Sequence, residues 1–193
     1  MKIAVVGTGY VGLVTGTCFA ELGHQVLCID SDRHKIALLQ KLIMPIYEPG
    51  LEKLVRKNVF AKRLKFSLNL APAVKFAQAI FIAVGTPPRD DGSADLSYVE
   101  NVARAIALNM SEYKVIVEKS TVPVETGEWI EHTVALNNRN KVEFDIVSNP
   151  EFLREGSAVE DFMHPDRIVI GVKTPRAEKV MREIYKEIKA PML

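Results

Sequence analysis

IAVVGTGYVGLVTGTCFAELGHQVLCID, residues 3–30, holds the elements on which the reading of the fold turns. Four apolar residues, Ile3–Val6, have the length and composition of a buried strand. Glycines follow at 7, 9 and 12, then a helical pattern from Val11 to Leu22, a second apolar run at Val26–Ile29, and Asp30. The spacing is G-x-G-x-x-G placed directly after a strand and opening a helix. Gly7 suits the tight turn, Gly9 lets the backbone approach a pyrophosphate, and Gly12 permits close helix–strand packing. A helix N-terminus beginning there presents unpaired N–H groups and partial positive charge to phosphates.

A glycine-rich turn alone often serves packing and nothing else. Here strand, glycines, helix, strand and acid stand in order, and Asp30 lies near the roughly 20-residue offset at which a carboxylate meets ribose hydroxyls. We therefore expect a dinucleotide site. Asp30 and Asp32 would repel a 2′-phosphate, which favours NAD over NADP, although Arg33 is a counterargument. The bland use of Asp30 is a turn or helix cap. Cys18, inside the first helix, reads as a small packing residue and not a nucleophile.

Outward from this unit, apolar runs alternate with amphipathic stretches. Candidate strands continue at Leu64–Ser67, Ile80–Val84, Val115–Glu118, Phe144–Val147 and Ile168–Val172. Most are continuous runs, as in parallel strands covered on both faces. Helical patterns occupy about 49–58, Leu96–Asn109, Glu125–Leu136 and Val180–Ile188. The alternation predicts a doubly wound, mainly parallel α/β sheet, a Rossmann domain over 1–193 with an extra C-terminal strand or helix. Two loops, Gly85–Ser93 and Ser148–His164, follow strand C-termini, where open α/β sheets bind ligands.

The 193 residues are 48% hydrophobic and 25% charged with a formal net charge of +1, which gives no basis for nucleic-acid or anionic-membrane binding. Two cysteines and four scattered histidines form no metal-ligand spacing, so no metal is expected. Sparse cysteine suits a cytoplasmic setting. The N-terminal apolar run superficially resembles a secretory signal, but its glycine spacing is better explained by the turn. Asn109-Met110-Ser111 is a chance-level glycosylation match.

Six motifs give the chain a resemblance: GTGYVGL at 7–13, PIYEPGL at 45–51, VGTP at 84–87, ADLSYV at 94–99, KSTVPV at 119–124, and NPEFLREGSAVEDFMHPDRIVIG at 149–171. In this order they resemble the UDP-glucose/GDP-mannose dehydrogenase family over essentially the whole chain. The last motif looks like the UDP-glucose branch; GDP-mannose and UDP-N-acetylmannosamine oxidation are the alternatives. Such enzymes oxidise the sugar C6 alcohol to a carboxylate with two NAD, through a cysteine-held intermediate and a thioester.

The resemblance implies cofactor contacts at Gly7, Gly9, Tyr10, Val11, Gly12, Asp30, Lys35, Thr86, Thr121 and Glu155. It implies substrate contacts at Glu151, Phe152, Leu153, Arg154 and Glu155, and catalytic roles for Thr121, Glu151 and Glu155. Removing the alcohol proton and positioning a hydrolytic water both suit a carboxylate and a hydroxyl at strand ends. Set against these are plain uses. Thr121 has the form of a helix cap, and Glu151 and Glu155, four apart, that of a solvated helix face beside Arg154. The Pro45–Leu51 motif has no chemical role in this reading beyond a turn into a helix. One departure is Glu125, where the family usually carries glycine.

In the family a second domain supplies the nucleophilic cysteine and most nucleotide contacts, and a connecting helix builds a homodimer. Neither Cys18 nor Cys28 takes that place. The expectation is a chain that ends in mid-architecture, binds NAD and does not complete catalysis alone. Two rivals are weaker. A self-sufficient dehydrogenase would need an acid–base group such as a Tyr-x-x-x-Lys pair, but Tyr98 is followed at that spacing by Val102, and Tyr185 by Lys189 only in the terminal helix. A non-catalytic NAD sensor has no need of Thr121 and the 151–155 run.

Overall fold

The computed structural model describes residues 1–123 and 126–193. Six strands form the sheet: β1 (Lys2–Val6), β2 (Gln25–Ile29), β3 (Leu64–Ser67), β4 (Ala79–Ile82), β5 (Lys114–Glu118) and β6 (Phe144–Ser148). They lie in the order β3-β2-β1-β4-β5-β6, every neighbouring pair parallel. That is the doubly wound order, and strand order reverses between β1 and β4.

The apolar runs are continuous because both faces are covered. Ile3 and Val5 of β1 belong to one hydrophobic cluster, with α1 (Tyr10–Glu21), α3 (Leu51–Phe60), α7 (Ala158–Met163) and α8 (Pro175–Tyr185). Ala4 and Val6, pointing the other way, join α4 (Leu70–Phe76), α5 (Ser97–Asn109) and α6 (Thr126–Asn137). On the first face Phe19 is wholly buried, with ring centroids of Phe81, Phe162 and Tyr185 at 4.8, 5.2 and 5.4 Å. These aromatic contacts hold the C-terminal helices α7 and α8 against α1.

Three helices escape the sequence pattern. α2 (Arg33–Gln40) buries only Ile36 and Leu39, so its period is faint. α4 is seven residues long and carries Pro72 in its first turn. α7 lies inside the segment read as a polar connection and buries Ala158 and Phe162.

The expected strand Ile168–Val172 is not one. Ser148 and Gly171 exchange two antiparallel hydrogen bonds at the end of β6, and Ile168 pairs in parallel with Met192, each as an isolated bridge. The segment crosses the sheet edge without lying along it. Only Ile168 is buried, so a long ladder has no second apolar face to form on. The extra C-terminal helix is present as α8. Among the described residues no helix is long and apolar enough to cross a membrane.

Candidate dinucleotide site

The glycine turn links β1 to α1 across the point where strand order reverses. Gly7 has φ +103°, and a Cβ there would lie 2.3 Å from the Ala83 carbonyl oxygen. A Cβ on Gly12 would lie 2.0 Å from the carbonyl oxygen of Gly7. Both positions are closed to any side chain. Gly9 is different: a Cβ would meet nothing within 4 Å. It is the N-cap of α1, with no side-chain cap and no acidic residue in the first turn. Two glycines thus serve packing, and the third faces open space at a helix N-terminus suited to phosphate.

Asp30 follows β2 and is tied to that turn. Thr8, fully buried, donates both its amide and its hydroxyl to Asp30 Oδ2, each at 2.8 Å, and the Asp32 amide donates to Oδ1 at 2.9 Å. Burial pushes the Asp30 carboxyl up, but these hydrogen bonds and the Lys35 charge outweigh it and hold the group below the usual carboxylate range. Asp32 is a helix cap, accepting from the His34 and Lys35 amides. Asp30 and Lys35 line a cleft of about 610 Å³ with Gly7, Gly9, Leu68 and Tyr98. Val11 packs partly into the core beneath.

At the next strand ends, Thr86 Oγ1 donates to the Thr121 carbonyl at 2.8 Å, so the loops after β4 and β5 are brought together. Thr121 itself is exposed. Val124 and Glu125 lie outside the described residues, and with them both the question of the family glycine and the start of the helix expected from Glu125. Beneath Thr121 is a buried polar group. Burial pushes Glu118 up to about 7, against the Ser120 amide and Lys119; burial pushes Lys119 down to about 8, against Glu151 and Glu118. Lys119 Nζ reaches Asn149 Oδ1 at 3.3 Å, and that oxygen also accepts from the Tyr185 hydroxyl at 2.6 Å.

The run after β6 is an irregular loop, so the helix-face reading of Glu151 and Glu155 falls away. Glu151 caps the Leu153 amide. Phe152 is exposed with Arg167 over its ring at 5.3 Å, while Leu153 packs against the core. Arg154 pairs with Asp161 at 2.6 Å. Glu155 is exposed and accepts no hydrogen bond from a described residue, with its charge felt by Tyr10. Tyr10 turns from the glycine turn toward this loop. Its hydroxyl donates to Glu48 Oε2, and the Gly156 amide lies 3.1 Å from that hydroxyl and 2.9 Å from the same Glu48 oxygen.

Thr8, Glu48, Lys119 and Asn149 are the residues that sequence reasoning passed over. All four sit inside the six motifs, so the signal lay in position but not in chemistry. Thr8 is a variable position of its pattern, and the rest act through partners 30 or more residues away.

A parallel sheet in this order, with an open glycine at the first helix and a bound acid after the second strand, defines a dinucleotide-binding domain. A profile of the UDP-glucose/GDP-mannose dehydrogenase family, NAD binding domain, matches residues 1–189. The chain belongs to that family, as its NAD-binding domain. It is 50% identical over 192 residues to the UDP-glucose 6-dehydrogenase TuaD of Bacillus subtilis, covering 100% of this chain and 42% of that protein. It is 53% identical over 191 residues to the UDP-glucose 6-dehydrogenase of Rhizobium meliloti, covering 97% and 44%. Among solved structures, a UDP-glucose dehydrogenase from Pyrobaculum islandicum superposes with TM-score 0.96 at 45% identity, over 99% of this chain and 45% of that one. A GDP-mannose dehydrogenase from Pseudomonas aeruginosa also gives 0.96, at 36% identity over 100% and 46%. The chain spans less than half the length of these relatives.

Proposed function

We propose that this chain is the cofactor-binding part of a UDP-glucose 6-dehydrogenase, which converts the C6 alcohol of UDP-glucose to a carboxylate with two NAD. The observation that carries the reading is the open backbone of Gly9 beside an Asp30 already fixed by Thr8. The Gly7–Gly12 turn would hold the pyrophosphate, and Asp30, with Lys35 beside it, the adenosine ribose. Asp30 is kept anionic, which favours a ribose diol over a 2′-phosphate. The higher identity to relatives named for UDP-glucose supports that sugar over GDP-mannose.

When bound, NAD accepts the two electrons and the hydrogen that leave the alcohol carbon. The remaining work falls to side chains. In this reading Glu155, exposed and free of described hydrogen-bond partners, takes a proton or orients water. Thr121, held through its carbonyl by Thr86, offers a hydroxyl at the β5 end. Glu151 stands near the buried Lys119 charge and shapes the loop through the Leu153 amide. Phe152, Leu153 and Arg154 complete the substrate-side run. The cysteine nucleophile and the homodimer belong, in this reading, to sequence beyond the chain, and the setting is cytoplasmic.

Separate calorimetric titrations with NAD, NADP and UDP-glucose test it. NAD binding with little response to NADP or UDP-glucose is the expected pattern. UDP-glucose binding in the absence of any NAD response would overturn it.

A further inference from the structure

The Pro45–Leu51 motif, which has no role in the chemistry above, delivers one buried carboxylate to the seam between the two halves of the site. Glu48 is only 5% exposed. Its backbone is fixed by the entry to α3, where its carbonyl accepts from the Leu51 amide at 3.2 Å and Leu51 is itself buried. A carboxylate in such a place is costly unless donors meet it. The donors come from two distant motifs: the Tyr10 hydroxyl, on the first residue of α1, and the Gly156 amide, at the end of the substrate-side run. Both converge on Oε2, while Oε1 is buried with no partner among the described residues.

The bonds interlock. Burial and then the hydrogen bond to Glu48 push the Tyr10 phenol up to about 12, so it remains a donor at neutral pH. Gly156 has φ +90°, a turn open to glycine, and its amide is shared between Glu48 and the Tyr10 oxygen. The Arg154 carbonyl lies 3.4 Å from the same hydroxyl. The 154–156 backbone is therefore held by the residue that follows Gly9 in the phosphate turn.

We propose that Glu48 is a positioning residue that couples the phosphate turn to the 151–156 run, so that dinucleotide binding also orders the carboxylates on the substrate side. The inference rests on the reading that this chain binds NAD. Any displacement of the α1 N-terminus on binding phosphate passes through Tyr10 to Glu48 and Gly156, and order in the 151–156 run in turn favours the bound turn.

The test is amide hydrogen exchange at Gly156, with and without NAD, alongside NAD titration of the parent chain, Glu48→Ala, Glu48→Gln and Tyr10→Phe. In the parent, NAD slows Gly156 exchange. In Glu48→Ala that slowing disappears and NAD binds about tenfold more weakly, the scale of one charge-assisted hydrogen bond. Tyr10→Phe keeps the Glu48–Gly156 bond, so Gly156 stays protected without ligand but no longer responds to NAD. It provides the same reading should Glu48→Ala fail to fold. Glu48→Gln, which keeps an acceptor of the same shape, recovers part of the response. A parent chain that binds no NAD overturns the cofactor reading together with this inference. Equal NAD affinity and equal Gly156 slowing in parent and variants overturn this inference alone.

Discussion

Thr8 gives both of its hydrogen-bond donors to one oxygen of Asp30, 22 residues away, each at 2.8 Å. The acid after the second strand thus braces the glycine turn, in addition to the ribose-accepting role proposed for it. Asp30→Ala should weaken NAD binding by tenfold or more on the scale of a lost charged hydrogen bond. It should also cost about 1–3 kcal/mol of stability, because the buried Thr8 donors lose their partner. Calorimetry and urea denaturation measure the two effects separately; unchanged affinity would remove Asp30 from the cofactor site.

Gly9→Ala and Gly12→Ala are expected to part company. An alanine at 12 collides with the Gly7 carbonyl oxygen at 2.0 Å, so this variant should lose stability and binding together. An alanine at 9 meets nothing, and its extended backbone, φ −68° and ψ −169°, suits any residue. Its stability should stay within about 1 kcal/mol of the parent while NAD affinity falls. If Gly9→Ala binds NAD normally, the open space before Gly9 is not where pyrophosphate sits.

The buried pair at the end of β5 predicts a pH signature. Glu118 is pushed up to about 7, so between the ordinary carboxylate range and pH 7 the folded chain holds a proton that the unfolded chain has released. Its contribution to stability is present at low pH and is lost as pH rises through 7. Lys119 is pushed down to about 8, so its penalty is full below 8 and relieved as pH rises toward the usual lysine range. The pair alone therefore gives a stability minimum between about 7 and 8. Glu118→Gln should flatten the low-pH limb by about 1–3 kcal/mol in urea titrations at pH 5 and 7.5. A limb that survives the substitution assigns it elsewhere.

Gly16 and Cys28 form a packing pair between α1 and β2. A Cβ on Gly16 would lie 2.3 Å from the Cys28 sulfur. Gly16→Ala should destabilise by about 1–3 kcal/mol through overpacking. Adding Cys28→Ala should recover part of that loss, because the sulfur is the obstacle; purely additive losses in the double variant would refute the pairing. Burial pushes both thiols up, Cys28 to about 12, so neither should react with a thiol reagent until the chain unfolds.

Six strands, the glycine turn, Asp30 and the two loops at strand C-termini were determined by the sequence itself. Runs such as Ile80–Ile82 and Val115–Val117 have the form of parallel strands buried on both faces, and Gly12 is required by the carbonyl oxygen of Gly7 five residues earlier. Local physics of this kind is written in contiguous residues. The pairing of Thr8 with Asp30 and the burial of Lys119 beside Asn149 were decided only by the tertiary structure. So were the failure of Ile168–Val172 to become a strand and the convergence of Tyr10 and Gly156 on Glu48. Each depends on segments 22 to 146 residues apart meeting at one point. A residue's type declares what it can donate or accept, but only the folded chain brings a partner within 3 Å and excludes the water that would otherwise compete.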